Sequence, residues 1–163
     1  MLKLSSQALE EIMRSILKSA LVVSALLFAT LAHSADGLVT VKSSHDVKAT
    51  ADRLESVLKE KGMTVMARVN HQQGAEKAGL ELRPTEVVIF GNPKVGTPLM
   101  QCAQSVAIDL PQKALIWEDE NGETWLGYNN PDYLKSRHDI EGCDPVLEKV
   151  SGALAGFAKA ATE

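Results

Sequence analysis

One stretch, Leu82 to Met100, constrains this chain more than any other. Val87–Val88–Ile89–Phe90 is apolar on both faces, the pattern of a strand buried in the middle of a sheet. Gly91–Asn92–Pro93 then forces a sharp turn. Thr97–Pro98 supplies a cap followed by proline at the first helical position, where a missing N–H costs no hydrogen bond. The order predicts a buried strand, a turn and a helix starting at Thr97. It sets a helix N-terminus, with free donors and about half a positive charge, beside a strand end, where an anion or polar ligand can sit.

The N-terminal segment reads differently. Arg14 and Lys18 precede an apolar run from Ala20 to Ala32, too short for the roughly 20 residues that cross a bilayer. Small residues follow at Ala32, Ser34 and Ala35. This is the layout of a secretory signal peptide, with cleavage near Ala35. Glu10 and Glu11 occupy positions where such a leader is basic, which favours Met13 as the true start. The expected organisation is a leader over residues 1–35 and one domain over 36–163, within the common range of about 100–150 residues. The expected location is periplasmic or secreted, with no stable membrane insertion after cleavage. The formal net charge of −4 and the lack of a basic cluster exclude a nucleic-acid footprint. Cys102 and Cys143 form no CxxC motif. An oxidising compartment can join them as a disulfide; equally, Cys102 shares a helical face with Leu99, Ala103 and Val106 and can be a buried thiol. Both alternatives stand.

Along the domain, Leu38–Lys42 alternates as a first strand. Ser43–Ser44 offers a cap for a helix carrying Val47, Ala51, Leu54, Val57 and Leu58, and Gly62 ends it. Met63–His71 alternates as a second strand. Gln72–Gly79 predicts a short helix, and the connection to Thr85 is long enough for a crossover between parallel strands. Strands 63–71 and 86–91 are accordingly read as parallel. Lys113–Glu118 and Thr124–Tyr128 form a hairpin around Asn121–Gly122, with Trp117 and Trp125 able to face each other across it. Asn130–Pro131 and Asp144–Pro145 repeat the cap-then-proline start. Leu147, Val150, Leu154 and Phe157 form one stripe of the last helix. The pattern predicts an α+β domain, with helices packed on one face of a twisted, mostly antiparallel sheet.

Parallel strands would release His71 and Asn92 at one rim, beside Lys94 and Thr97, making a polar or anion site that Arg137 and His138 could close. The competing reading is that Gly, Asn and Pro only make the turn, and that Arg137 and His138 are a charge pair at a helix end. No metal-ligand spacing occurs among His45, His71 and His138, so no metal and no cofactor are expected. Glu118–Asp119–Glu120 reads as a solvated cluster at the hairpin tip. The Gly-x-Ser-x-Gly elbow and the Walker Gly-Lys-Thr ending are both missing.

Several separate pieces resemble one family of small prokaryotic proteins, the domain of unknown function 302. They are Asn70–His71, Gly79–Leu80 with Leu82–Arg83–Pro84–Thr85, Phe90–Gly91–Asn92–Pro93, Gly96–Thr97–Pro98–Leu99–Met100, Asp109–Leu110–Pro111, Trp117–Glu118–Asp119, Tyr128 with Asn130–Pro131, and Arg137–His138. The resemblance runs from about Val39 to Ala158. It implies a fold similar to TATA-binding-protein-like domains, with a β-α-β4-α plan, and a homodimer. No activity is established for the family, so the resemblance carries over no catalytic residues, and the cysteines lie outside its pattern.

Three functions follow as expectations. The first is an exported, non-catalytic binding module with a small anionic or polar ligand. The second is an envelope structural or interaction protein, docking a partner on an edge strand or hairpin. The third is a small hydrolase-like enzyme using His71 or His138 as acid or base, for which the sequence reveals no orienting partner.

Overall fold

The computed structural model describes residues 37–163; the expected leader and the alternative start at Met13 lie outside the described residues. The elements in order are β1 (Leu38–Lys42), α1 (Val47–Glu60), β2 (Thr64–Asn70), α2 (His71–Lys77), β3 (Thr85–Gly91), α3 (Pro93–Cys102), a 3-10 turn (Gln104–Ile108), β4 (Gln112–Glu118), β5 (Thr124–Asn129), α4 (Pro131–Arg137) and α5 (Asp144–Thr162). The strands form one sheet in the order β1-β5-β4-β3-β2, and every neighbouring pair is antiparallel. This is the expected α+β plan, with α2, α3 and α4 as additions to a β-α-β4-α frame.

The register divides the sheet into two faces. Val88, Phe90, Ala114, Ile116, Leu126 and Tyr128 are buried on one of them. They belong to a core with Leu54 and Leu58 of α1 and Leu147, Val150 and Leu154 of α5. Phe90 and Phe157 meet edge to face, with ring centroids 6.2 Å apart. Full burial of a Leu, Ile or Phe side chain stabilises the fold by about 1.5–3 kcal/mol, so this layer dominates. The opposite face carries Val87, Ile89, Leu115 and Trp117, all only partly buried. Trp117 lies directly across from Trp125. Its ring also covers Gly127, where an added Cβ would come within 3.0 Å of Trp117 Cζ3. A larger residue there would displace the indole.

Three local expectations are corrected. The strands 63–71 and 86–91 are antiparallel, with Thr64 opposite Gly91 and Asn70 opposite Glu86. The intervening segment with α2 is therefore a long return and not a crossover. The helix expected from Thr97 begins at Pro93, because Asn92–Pro93 supplies the same cap-and-proline device earlier: Asn92 Oδ1 accepts from the Lys94 N–H at 2.9 Å. Pro98 then sits inside α3, where it forfeits one helical hydrogen bond. The first helix is capped by Asp46, whose Oδ1 accepts from the Ala49 N–H at 2.7 Å. Ser43 and Ser44 instead bond Thr50 Oγ1 and the Thr162 carbonyl, tying the β1–α1 turn to the end of α5.

Cys102 and Cys143 are joined in a disulfide, with Cα atoms 6.5 Å apart. It fastens the end of α3 to the start of α5. Among the described residues no helix is long and apolar enough to cross a membrane.

Candidate functional site

Where β3 ends and α3 begins, the chain leaves the sheet and leans on α5. The wedge between them holds an open cavity of about 530 Å³, within the usual range of small-molecule sites of about 300–1,000 Å³. Its wall is mainly apolar, with Phe90, Leu99, Leu110, Leu154 and Phe157 supplemented by Met63, Met66 and Met100. Methionines suit a lining that adapts to its occupant. Met66 is 52% exposed. The polar lining comprises Asn92, Thr97 and Gln112, and two exposed lysines, Lys61 and Lys149, stand at the margin.

The expected site residues do not converge. Asn92 and Thr97 line the cavity, but the Asn92 amide is occupied by scaffolding: besides capping α3, Asn92 Nδ2 donates to the Gly62 carbonyl at 3.3 Å. Lys94 is exposed on the first turn of α3 and is not among the lining residues. His71 opens α2 at the other end of β2, since its neighbour Asn70 pairs with Glu86 and not with the end of β3. The length of β3 separates that point from Asn92, roughly 20 Å at about 3.3 Å per residue. The shared rim expected for His71 and Asn92 therefore does not exist; it depended on strand directions that the fold reverses.

Arg137 and His138 lie elsewhere again, at the end of α4. Arg137 Nη1 donates to Asp109 Oδ1 at 3.2 Å and to Tyr133 Oη at 3.3 Å. His138 Nε2 lies 2.6 Å from Asp109 Oδ2, and Nδ1 lies 3.0 Å from Ser105 Oγ. Sequence reasoning singled out His138 but missed Ser105 and Asp109, because a separation of about thirty positions carries no motif. In the sequence, Asp109–Leu110–Pro111 carries weight only as part of the family pattern.

A second charged group was also invisible in the sequence. Glu86 faces the helix side of the sheet with its side chain 7% exposed. Arg68 Nε donates to Glu86 Oε2, and Asn70 Nδ2 donates to Oε1 at 2.9 Å. Arg68 reaches on to Asp52 and Glu55 of α1. Burial alone would lower the Arg68 pKa, but the hydrogen bonds to Glu86 and Asp52 outweigh it and push the guanidinium further into its protonated form. With Arg68 committed this way, the group pins α1 to the edge of the sheet. Among the described residues no group of three His, Cys, Asp or Glu side chains is arranged to hold a metal ion.

An antiparallel five-stranded sheet with two long helices on one face and a preformed apolar cavity beside it defines a small α+β module. The chain belongs to the family described as domain of unknown function DUF302, whose sequence model matches residues 39–157. The crystal structure of an uncharacterized conserved DUF302 protein from Bacillus stearothermophilus superposes with a TM-score of 0.70 over 78% of this chain and 99% of that one, at 23% identity. That likeness concerns the fold. Curated relatives include proteins named fluoride-specific ion channel FluC 1 from Brucella suis biovar 1 and Brucella abortus biovar 1, each 50% identical over 104 residues. The match covers 64% of this chain but only 41% and 38% of those relatives, so the chain spans about two-fifths of their length.

Proposed function

We propose that this protein is an exported binding module whose cavity takes a small molecule with an apolar body and an anionic end. The observation that carries the reading is the composition of the wall: a mainly apolar wedge with Lys61 and Lys149 at its margin. Apolar surface holds the body of a ligand without directional demands, while an exposed ammonium selects a carboxylate or phosphate head at modest energetic gain. The expected ligand thus keeps its anionic group but is apolar over most of its length. Export is supported by the leader-like N-terminal segment and by the Cys102–Cys143 pair, since disulfides persist in oxidising compartments. Homodimer formation is supported by the partly exposed apolar residues on the open face of the sheet, which is where a second copy would cover Val87, Ile89, Leu115 and Trp117.

Dodecanoate is a suitable probe. Titration calorimetry should show saturable binding, weakened by K61E/K149E and abolished by A153W, because Ala153 lines the cavity and is exposed. Absence of binding, together with native mass spectra of the protein from its own compartment showing no retained small molecule, would refute the reading.

A second reading draws on the relatives named as fluoride channels. We propose as the alternative that the segment shared with them serves a fluoride-specific ion channel as an accessory or interaction module. Deleting the gene should then lower the fluoride tolerance of the host strain; unchanged tolerance removes this alternative.

A further inference from the structure

Ser105, His138 and Asp109 form a hydrogen-bonded chain that the cavity does not use. His138 Nε2 is 2.6 Å from Asp109 Oδ2 and Nδ1 is 3.0 Å from Ser105 Oγ. An ionised carboxylate only accepts, so in the neutral imidazole, the form a general base needs, the ring proton sits on Nε2 and Nδ1 presents its lone pair to the serine hydroxyl. Asp109 is held in turn by Arg137 Nη1 at 3.2 Å. The burial is graded as a nucleophile requires. The His138 and Asp109 side chains are 6% and 12% exposed, whereas Ser105 lies on the surface. Base and orienter are sheltered while the hydroxyl is reachable.

We propose that Ser105 is an activated nucleophile, with His138 as its general base and Asp109 as the residue that positions the imidazole, and that the class of substrate is an ester whose acyl carbonyl reaches the surface beside the 3-10 turn. Such triads are recognised by geometry and roles rather than by sequence order. In the first step Ser105 Oγ bonds the carbonyl carbon, its proton passes to His138 Nδ1, and that proton leaves with the alkoxide as the ester C–O bond breaks. In the second, water gives a proton to Nδ1 as its oxygen attacks the acyl carbon. The Oγ–acyl bond breaks, the serine recovers its proton, and a carboxylic acid is released. No other reactant is required. Here Nδ1 faces the nucleophile and Nε2 the carboxylate; the roles of the two nitrogens depend only on which ring N–H donates to the carboxylate.

The competing role is a polar clamp between the 3-10 turn and α4. The full chain, treated with an alkyl fluorophosphonate, distinguishes them, since the probe phosphonylates an activated serine with loss of fluoride and leaves an ordinary one alone. Intact-mass spectra should show one adduct, mapped to Ser105 and absent in S105A, a substitution at an exposed position. H138Q should slow labelling about 100-fold or more, the usual contribution of a general base. D109N should also slow it, with recovery in D109E and with melting curves matching wild type. If H138Q or D109N fails to fold, the comparison of wild type with S105A decides alone. No adduct on wild type, or an adduct that persists in S105A, overturns the proposal. Either outcome leaves the cavity reading untouched, because dodecanoate binding is measured separately and S105A should not alter it.

Discussion

Arg68 on β2 and Glu86 on β3 form an ion pair on the helix-covered face of the sheet, with the Glu86 side chain 7% and the Arg68 side chain 24% exposed. One partner is sheltered, so the two single deletions differ in kind from the double one. R68M leaves Glu86 buried without its cation, and breaking such a pair costs about 3–5 kcal/mol. Partial exposure of Arg68 places the expected loss toward the lower end. R68M/E86L removes both charges and should recover most of that loss. Urea unfolding of the two single variants and the double variant measures the coupling; a double variant no more stable than R68M would assign the effect to packing instead of charge.

Asp119 organises the β4–β5 hairpin. Its Oδ1 accepts from the Asn121 and Glu123 N–H groups at 2.8 and 2.9 Å, and its Oδ2 accepts from Trp125 Nε1 at 2.9 Å. The bond from the Glu123 amide, then that from Trp125, lowers its pKa below the ordinary 3.8. Asp52 is lowered as well, by Lys48 and then Arg68. A carboxyl depressed in the folded state contributes stability that is present above its ordinary value and lost as pH falls through the depressed one. Stability should therefore hold down to about pH 4 and decline below it. In D119N the acid decline should be shallower and the tryptophan emission altered. An acid profile identical to wild type would remove Asp119 as a contributor.

The disulfide should matter both to the fold and to the cavity. Cys102 and Cys143 are 41 positions apart, and closing a loop of that size stabilises by about 4 kcal/mol on the chain-entropy estimate. It also fixes the end of α3 against α5, the two helices that wall the cavity. Reduction, or C102S/C143S, should lower the melting temperature and weaken dodecanoate binding together. Loss of stability with unchanged affinity would separate the bridge from the site.

How far the sequence disclosed this molecule depends on the range over which each signal acts. Local signals were readable. Val87–Phe90 announced a buried strand, Gly62 a helix stop with φ of +72°, and Asn130–Pro131 a helix start. Trp117 does lie opposite Trp125, but through a three-residue loop of Glu120, Asn121 and Gly122 with Gly122 at φ of +75°, one residue longer than the Asn121–Gly122 turn the sequence suggested. Strand direction was not readable, because a connection as long as that from Gln72 to Thr85 permits either sense, and the site built on His71 and Asn92 failed with it. The choice between Asn92–Pro93 and Thr97–Pro98 was also open locally, since either pair can begin a helix. The cavity and the Ser105–His138–Asp109 chain come from elements distant in sequence, and no spacing rule encodes them.

The open face of the sheet supplies the last prediction. Leu115 lies between Val87 on β3 and Gly127 on β5, with Val69 of the edge strand opposite Val87. The result is an apolar row across four strands, with Val69 39% exposed at its end. A charge at its centre should prevent a second copy from covering it, at little cost to the core on the other side. L115K should therefore convert a dimer to a monomer in sedimentation equilibrium while preserving the far-ultraviolet circular dichroism, whereas K113E, at the exposed neighbour on the same face of β4, should have a much smaller effect. A wild-type protein that sediments as a monomer at all concentrations up to about 100 μM, a range in which a specific interface holds together, would refute a dimer through this face.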